Sequence, residues 1–399
     1  MDVIPVTGAW QPGDDVGHRQ FFTFATDRRF AVDSGATLTD VTIAYETWGR
    51  LAPDASNAVL LCHAWTGDSH AAGSAGRGHV DAGWWEAMIG PGKPIDTDQW
   101  FVVCPNVLGG CQGSTGPASP MPRNGFELRP DGDVRPPYGS RFPVITIRDM
   151  VRAQARLADH LGISAWHTVL GGSMGGMQVL EWAIMYPDRV RGLVPIATCM
   201  QSTAQQIAWG SIGRRAIKLD QRWRGGDYYD AEPGDGPGEG LSVARMVAQV
   251  TFRSDNVFTE RFGRAIARRG DRGDVPEMWQ QFEVEQYLEH HGRKLGYRFD
   301  TNSYLVISKA MDLHDVARHR GHLEGAMSRI QAPCLSIGIS SDMLYPSYQQ
   351  QQIAELLQSV GTDAGYAEID SPHGHDAFLL NFDQLAGPIA DFLECRKLP

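Results

Sequence analysis

The chain has 399 residues, of which 42% are hydrophobic and 21% are charged, and its formal net charge at pH 7 is -11. This composition is typical of a folded globular protein with a sizeable core and excludes a largely disordered chain. The acidic balance argues against nucleic-acid binding, because proteins that follow a phosphate backbone need a concentrated basic surface.

The sequence also predicts a cellular compartment. No apolar stretch approaches the roughly 20 residues that span a bilayer. Residues 1–10 lack the basic start and apolar run of a signal peptide. The six cysteines show no C-x-x-C pairing, and the histidines show no zinc-binding spacing. We therefore expect a cytoplasmic protein with no membrane contact, reduced cysteines and no bound metal.

Short apolar runs alternate with helical patterns through the first half of the chain. A helix is predicted over residues 147–161, after a Thr146-x-x-Asp149 start signal, and a second helix over residues 174–185. Alternation of strand and helix favours a parallel sheet. The predicted strands are residues 58–63, 100–104, 167–170 and 192–196.

The composition changes between residues 200 and 329, where Gln, Arg, Trp and charged residues recur at helix-like spacing. Residues 225–240 are rich in Gly, Pro and Asp and are predicted to form an exposed loop. Strand patterns return at residues 334–339 and 366–369. We predict an α/β core, with a mostly parallel central sheet flanked by helices, and a helical lid inserted into it. The core is residues 1–199 and 330–399, and the lid is residues 200–329.

The segment Gly171-Gly172-Ser173-Met174-Gly175 fits the G-x-S-x-G nucleophile elbow of the α/β-hydrolase fold. It lies between a predicted strand and a predicted helix, which is the context that the motif requires. Glycines flank the serine because a sharp, strained turn leaves no room for neighbouring side chains. Ser173 is therefore predicted to be a catalytic nucleophile.

A serine hydroxyl needs a base within hydrogen-bond reach and an acid that holds the base in the right tautomer. In this fold the chain order is Ser, then Asp or Glu, then His. Asp342 follows one predicted strand, and His373 and His375 both follow the next. Asp342 is also a residue type that caps helices, and the spacing alone leaves His373 and His375 as competing bases.

The loop after the first predicted strand reads His63-Ala64-Trp65-Thr66-Gly67. This fold uses that loop to supply the second backbone donor of the oxyanion hole. We predict that the N–H groups of Trp65 and Met174 stabilise the oxyanion. His63 is interpreted as a structural hydrogen-bonding residue.

Segments spread over nearly the whole chain, including the predicted lid, resemble the homoserine O-acetyltransferase family. Such a spread is more specific than the elbow motif alone. The segments are residues 63–67, 83–85, 89–93, 106–111, 113–117, 172–177, 300–304, 314–316 and 374–378.

The resemblance implies that His375 is the base, because the family histidine directly precedes an aspartate, as His375 precedes Asp376. It implies acetyl transfer from acetyl-CoA to the hydroxyl of L-homoserine for methionine biosynthesis, through an acyl-serine intermediate. No permanently bound cofactor is implied, and acetyl-CoA is a co-substrate. Arg245 and Asp376 match the family positions that hold the amino acid, although Arg245 would also suit a surface ion pair. A lid-mediated homodimer is implied as well.

Two positions differ from the family pattern. Phe252 stands where a tyrosine is usual, and Trp65 replaces the common leucine of the His-Ala-Leu-Thr-Gly motif. These changes bear on the acyl donor and the acceptor, so succinyl-CoA as donor and L-serine or another hydroxyl acceptor are alternatives. A carboxylesterase and a non-catalytic binding protein are further alternatives, and the presence of all three triad residues argues against the last.

Overall fold

An eight-stranded sheet runs through the centre of the molecule, in a computed structural model that describes residues 3–122, 135–268 and 277–395. The strand order across the sheet is β1-β2-β4-β3-β5-β6-β7-β8. Strands β3 to β8 are parallel to one another, whereas β2 is antiparallel to both β1 and β4. The strands are Gln20–Phe24 (β1), Val41–Trp48 (β2), Ala58–Cys62 (β3), Phe101–Pro105 (β4), Thr168–Gly172 (β5), Leu193–Ile196 (β6), Cys334–Ile339 (β7) and Ala364–Ile369 (β8).

The central strands are apolar because helices cover both faces of the sheet. Every residue of β3, β5, β6 and β7 is buried. Within the described ranges, three short two-stranded ladders lie outside this sheet. They pair Phe30–Ala31 with Thr37–Leu38, Ile89–Gly90 with Ile95–Asp96, and Ile266–Arg268 with Gln281–Phe282.

Ten α-helices are present in the described residues, and two of them confirm the predicted starts. Thr146 caps α1 with the reciprocal Thr146–Asp149 capping box, and α2 spans the predicted residues. The helices are Ile147–His160 (α1), Met174–Met185 (α2), Ala204–Leu219 (α3), Gly238–Phe252 (α4), Asp255–Phe262 (α5), Glu283–Gly296 (α6), Thr301–Asp312 (α7), Leu323–Met327 (α8), Tyr348–Ser359 (α9) and Phe382–Cys395 (α10). Short 3-10 helices are Gly139–Arg141, Pro187–Arg189, Gln221–Gly226 and Gly374–Leu379.

The chain leaves the sheet after β6 and returns at β7, and helices α3 to α8 lie in this inserted segment, residues 197–333. Helix α4 packs between α3 and α6. Gly213 on α3 lies against Ala244 on α4, where an added Cβ would be 3.4 Å away. The boundaries of the lid as a separate unit stay a prediction.

The start of α7 is fixed by a buried carboxylate. Asp300 caps the helix by accepting from the Ser303 N–H at 2.8 Å, and its oxygens also accept from the hydroxyls of Tyr228, Tyr229 and Thr7 at 2.7, 3.1 and 2.9 Å. Tyr228 is fully buried. The prediction of an exposed loop over residues 225–240 is therefore wrong at this tyrosine, because its hydroxyl satisfies the buried Asp300.

None of the helices in the described parts of the chain is long and apolar enough to cross a bilayer.

Candidate active site

Ser173 occupies the sharp turn between β5 and α2. Its φ is 59°, in the left-handed region that costs energy for a residue with a side chain. The turn packs closely on β3 and on the segment that carries His375. A Cβ on Gly175 would clash with the Cys62 carbonyl oxygen, and one on Gly172 would clash with the Phe378 ring. The two glycines therefore allow the turn to form, as the sequence motif predicts.

Asp342 and His375 are brought together from two loops. Asp342 follows β7 and His375 lies in the 3-10 helix after β8, and the His375 Nδ1 is 2.6 Å from Asp342 Oδ2. Asp342 Oδ1 accepts from the backbone N–H groups of Leu344 and Tyr345 at 2.8 and 2.9 Å. Both oxygens are thus occupied, which fixes the carboxylate that orients the imidazole.

The structure distinguishes the two candidate histidines by position. Only His375 reaches Asp342, whereas the His373 N–H bonds to Ser371 Oγ at 3.1 Å and its side chain is not part of the cavity lining. Burial lowers the pKa of His375, but the Asp342 carboxylate outweighs burial, so that the pKa is raised above its ordinary value of 6.5. Ser173 Oγ and His375 line the same cavity without a hydrogen bond between them in the described residues, which is common in sites without substrate.

Two backbone N–H groups of the predicted oxyanion hole have no acceptor in the described structure. They belong to Trp65, in the loop after β3, and to Met174, the first residue of α2. Trp65 lines the same cavity as Ser173. Gln178 Nε2 holds both segments by donating to the carbonyls of His63 and Met174 at 3.3 and 3.2 Å. The His63 imidazole bonds to the Ala64 carbonyl and accepts from the Val107 N–H. His63 therefore has the structural role predicted for it.

A cavity of about 690 Å³ lies between the carboxyl ends of the strands and the inserted segment. Ser173 and His375 form part of its floor, and residues of α3, α4 and α7 line the other side. The Trp65 indole packs on Tyr304 with ring centroids 4.3 Å apart, and its Nε1 is buried without a hydrogen-bond partner. Helices of the inserted segment thus cover the site, and Trp65 is part of the cavity lining.

Arg245 extends from α4 into this cavity. Its Nη1 donates to Thr66 Oγ1 at 3.4 Å, and its Cζ lies 5.1 Å from the centre of the Phe252 ring. Phe252 in turn lies 5.8 Å from the His375 ring, centre to centre. Burial, followed by the charge of Arg298, lowers the pKa of Arg245 below its ordinary value. The guanidinium stays charged at neutral pH.

Asp376 also lines the cavity, but a cation already accompanies it. Arg253 Nη2 is 3.2 Å from Asp376 Oδ2, and both side chains are more than four-fifths buried. Arg253 immediately follows Phe252 at the end of α4, so one turn of chain carries both a ring beside His375 and the partner of Asp376. No sequence pattern predicted this pair.

A second cluster of ionisable groups lies beside the cavity. Donor atoms of Glu46, His70 and His79 are within 4.8 Å of one another, and these residue types can bind metal ions. However, the two imidazoles are stacked 3.7 Å apart and 11° from parallel, so their lone pairs do not converge on one ion. Glu46 accepts from Ser69 Oγ and bonds to His70 Nδ1 at 3.0 and 2.9 Å. We interpret the cluster as a hydrogen-bonded network.

Sequence reasoning missed Arg298, which lines the cavity from the segment before α7. Arg298 stands two positions before Asp300, just outside the family-like segment at residues 300–304. Its orientation depends on how the inserted segment packs on the core, which no local pattern encodes.

The order of strands, the strained serine between β5 and α2, and the Asp–His pair after β7 and β8 define the α/β-hydrolase fold. Residues 57–382 match the family model described as "alpha/beta hydrolase fold". The chain is 48% identical to the homoserine O-acetyltransferase of Thermobifida fusca (strain YX) over 390 residues, 98% of this chain and 97% of that protein. The chain belongs to the homoserine O-acetyltransferase family.

The solved structures similar to this one include a transferase and an esterase. The homoserine O-acetyltransferase from Bacillus anthracis matches with a TM-score of 0.83 at 29% identity, over 94% of this chain and 97% of that chain. Esterase E22 matches with a TM-score of 0.82 at 29% identity, over 94% of this chain and 99% of that chain. The fold is therefore common to a transferase and an esterase.

Proposed function

We propose that this chain is a homoserine O-acetyltransferase, which moves an acetyl group from acetyl-CoA to the hydroxyl of L-homoserine and so serves methionine biosynthesis. The observation that carries the proposal is 48% identity to a homoserine O-acetyltransferase over 98% of the chain. The Asp342–His375 hydrogen bond of 2.6 Å next to the strained Ser173 supports it.

In the first half of the proposed reaction, Ser173 is the nucleophile, His375 the base and Asp342 the acid that orients the base. His375 takes the hydroxyl proton as Ser173 Oγ attacks the thioester carbonyl, and the N–H groups of Trp65 and Met174 stabilise the oxyanion. The intermediate collapses, the C–S bond breaks, and the CoA thiolate leaves with the proton from His375. Acetyl-Ser173 remains.

In the second half, the homoserine hydroxyl loses its proton to His375 and attacks acetyl-Ser173. Collapse of the second intermediate releases O-acetyl-L-homoserine and returns the proton to Ser173. Two residues hold the amino acid: Arg245 of the lid binds the carboxylate of homoserine, and Asp376 of the core accepts hydrogen bonds from its ammonium group. The ion pair with Arg253 occupies one oxygen of Asp376 and leaves the other for this role.

Water is the competing acceptor, and its access decides between transfer and hydrolysis. The helices of the inserted segment that line the cavity favour transfer, since they restrict water at the acyl-enzyme. The similarity to esterase E22 favours carboxylester hydrolysis as a second candidate function. Trp65 replaces the leucine that is common in the family and lines the same cavity as Ser173. Succinyl-CoA is therefore assayed as an alternative donor, and L-serine as an alternative acceptor.

The proposed enzyme is a cytoplasmic homodimer that pairs through its lid. Apolar side chains at seven-residue spacing support the dimer, because this spacing places them on one face of each helix. Ile212 and Leu219 on α3 are 50% and 65% exposed, and Val243 and Val250 on α4 are 45% and 39% exposed.

The proposal is tested by following thiol release from acetyl-CoA with and without L-homoserine, with Ser173→Ala as the blank. Homoserine-dependent release that is lost in the variant is expected. Initial rates at varied concentrations of both substrates should give parallel double-reciprocal lines, since the acyl-enzyme separates the two half-reactions. Release that ignores homoserine would support the esterase, and intersecting lines would contradict the acyl-enzyme route.

A further inference from the structure

Two guanidinium groups converge on Thr66, the residue after Trp65. Arg245 Nη1 donates to Thr66 Oγ1 at 3.4 Å, and Arg298 Nη1 donates to the Thr66 carbonyl at 2.8 Å. Both arginines line the cavity that contains Ser173 and His375. Two cations from different parts of the inserted segment therefore lie near each other in the cavity that contains the proposed nucleophile.

These two charges are not paired with a carboxylate in the described residues. In the described parts of the chain, neither guanidinium has a carboxylate within 4 Å, and the nearby Asp376 is paired with Arg253. The charge of Arg298 contributes to the lowered pKa of Arg245, after burial, which reflects the repulsion between the two groups. A partly buried, uncompensated pair of like charges is costly unless an anion binds to it.

Arg298 is held in place by contacts that do not use its guanidinium. Gln112 Nε2 donates to the Arg298 carbonyl at 2.8 Å, and the next residue, Phe299, is 2% exposed. Asp300 then caps α7 and bonds to three hydroxyl groups. The backbone around Arg298 is therefore rigid, and the N–H groups that do not contact Thr66 have no protein acceptor in the described residues.

We propose that Arg298 binds the α-carboxylate of the acceptor amino acid together with Arg245. This inference rests on the proposed function and extends it, since it makes the acceptor site a two-arginine site. A carboxylate has two oxygens and about four lone-pair sites, so it can accept from both guanidinium groups at once. Its negative charge also removes the repulsion between them.

The alternative role for Arg298 is to anchor the Thr66 carbonyl, and through it the loop that carries the Trp65 N–H. The two roles affect different steps. A carboxylate contact acts only when homoserine is present, whereas a loop anchor acts on every reaction that forms an oxyanion at Ser173.

The test compares Arg298→Met and Arg298→Lys with the unsubstituted chain. Arg293→Met, an exposed arginine of the preceding helix α6, is the matched control. We expect Arg298→Met to raise the KM for L-homoserine about 10- to 100-fold, the loss typical of one hydrogen bond to a charged group. The pre-steady-state burst with p-nitrophenyl acetate, which needs no acceptor, should change less than threefold. Arg298→Lys should recover part of the KM, and Arg293→Met should change neither readout.

Two outcomes overturn the inference. The first is an unchanged KM for L-homoserine in Arg298→Met. The second is a burst rate that falls as much as kcat/KM for homoserine, which identifies Arg298 as a loop anchor. Should Arg298→Met fail to fold, the same comparison is made with Arg298→Lys. This variant keeps the positive charge but lacks the planar guanidinium that can donate two parallel hydrogen bonds to a carboxylate. Absence of homoserine-dependent thiol release from the unsubstituted chain would overturn the proposed function itself, and the inference with it.

Discussion

At the residue scale, the protonation state of His375 controls the proposed chemistry. The imidazole must be neutral to accept the Ser173 proton, and Asp342 raises its pKa above 6.5 despite burial. The protonated and inactive fraction therefore grows as the pH falls through this raised pKa.

We predict that kcat/KM for acetyl-CoA rises with pH through a midpoint above 6.5. In Asp342→Asn the rising limb should move to lower pH, because burial then lowers the pKa of His375 without the opposing carboxylate. The rate should fall about 10⁴-fold, as it does when the acid of a Ser-His-Asp triad loses its charge. The measurement is thiol release from pH 5 to pH 9. A limb that stays in place in the variant would contradict the assigned role of Asp342.

At the element scale, the close packing of α2 on β3 fixes the position of Ser173. Gly175 lies in the first turn of α2, and a Cβ there would clash with the Cys62 carbonyl oxygen at the end of β3. The backbone cannot shift easily on either side, because β3 is fully buried and α2 is buried from Met174 to Ile184.

Gly175→Ala is predicted to destabilise the protein by about 1–3 kcal/mol, the usual cost of an extra carbon in a packed core. It should also lower kcat/KM at least 100-fold, since a shift of about 1 Å in a catalytic group has this effect. Thermal unfolding and thiol release measure the two effects. Gly238→Ala at the start of α4, where an added Cβ makes only ordinary contacts with Ile4 at 3.4 to 3.9 Å, is the control and should be neutral or stabilising. Equal behaviour of the two variants would refute the packing argument.

The elements near the elbow could be predicted because their signals are local. Helix α2 begins and ends at the predicted residues. The capping box of α1 is formed by Thr146 and Asp149, which are recognisable in the sequence. The antiparallel strands β1 and β2 were not predicted from their own residues. β1 is half-exposed at the edge of the sheet, so its sequence lacks the continuous apolar run that marks the central strands.

The candidate site could be predicted only in part. The residues with local sequence signals were predicted, whereas those that depend on tertiary packing were not. Ser173, Asp342 and His375 stand at the ends of strands, where sequence order and fold together limit the choices. Arg298 and Arg253 act through the packing of the inserted segment on the core, which is a tertiary property. The burial of Tyr228 was not predicted for the same reason, because its hydrogen-bond partner Asp300 lies 72 residues away in the sequence.

At the scale of the whole molecule, the proposed homodimer gives a test of the apolar face on α3 and α4. Leu219→Glu combined with Val243→Glu places two charges on this face, which should separate the protomers because buried, unpaired charges are costly at an interface. Light scattering is expected to give twice the chain mass of 43.9 kDa for the unsubstituted protein and 43.9 kDa for the double variant. A single-chain mass for the unsubstituted protein would rule out the dimer.

The insertion between β6 and β7 also determines the order in which the parts of the proposed active site are made during translation. Ser173 precedes the insertion, whereas Asp342 and His375 follow it, and β6 pairs with β7 from Leu193 to Cys334 across the whole excursion. Such non-local pairing forms late, since the intervening chain must be closed into a loop first. During translation, the turn that carries Ser173 is therefore made long before His375. A nascent chain interrupted within the insertion carries the serine elbow without His375, its proposed base, so the proposed catalytic site is assembled only after the segment that follows the insertion has been made.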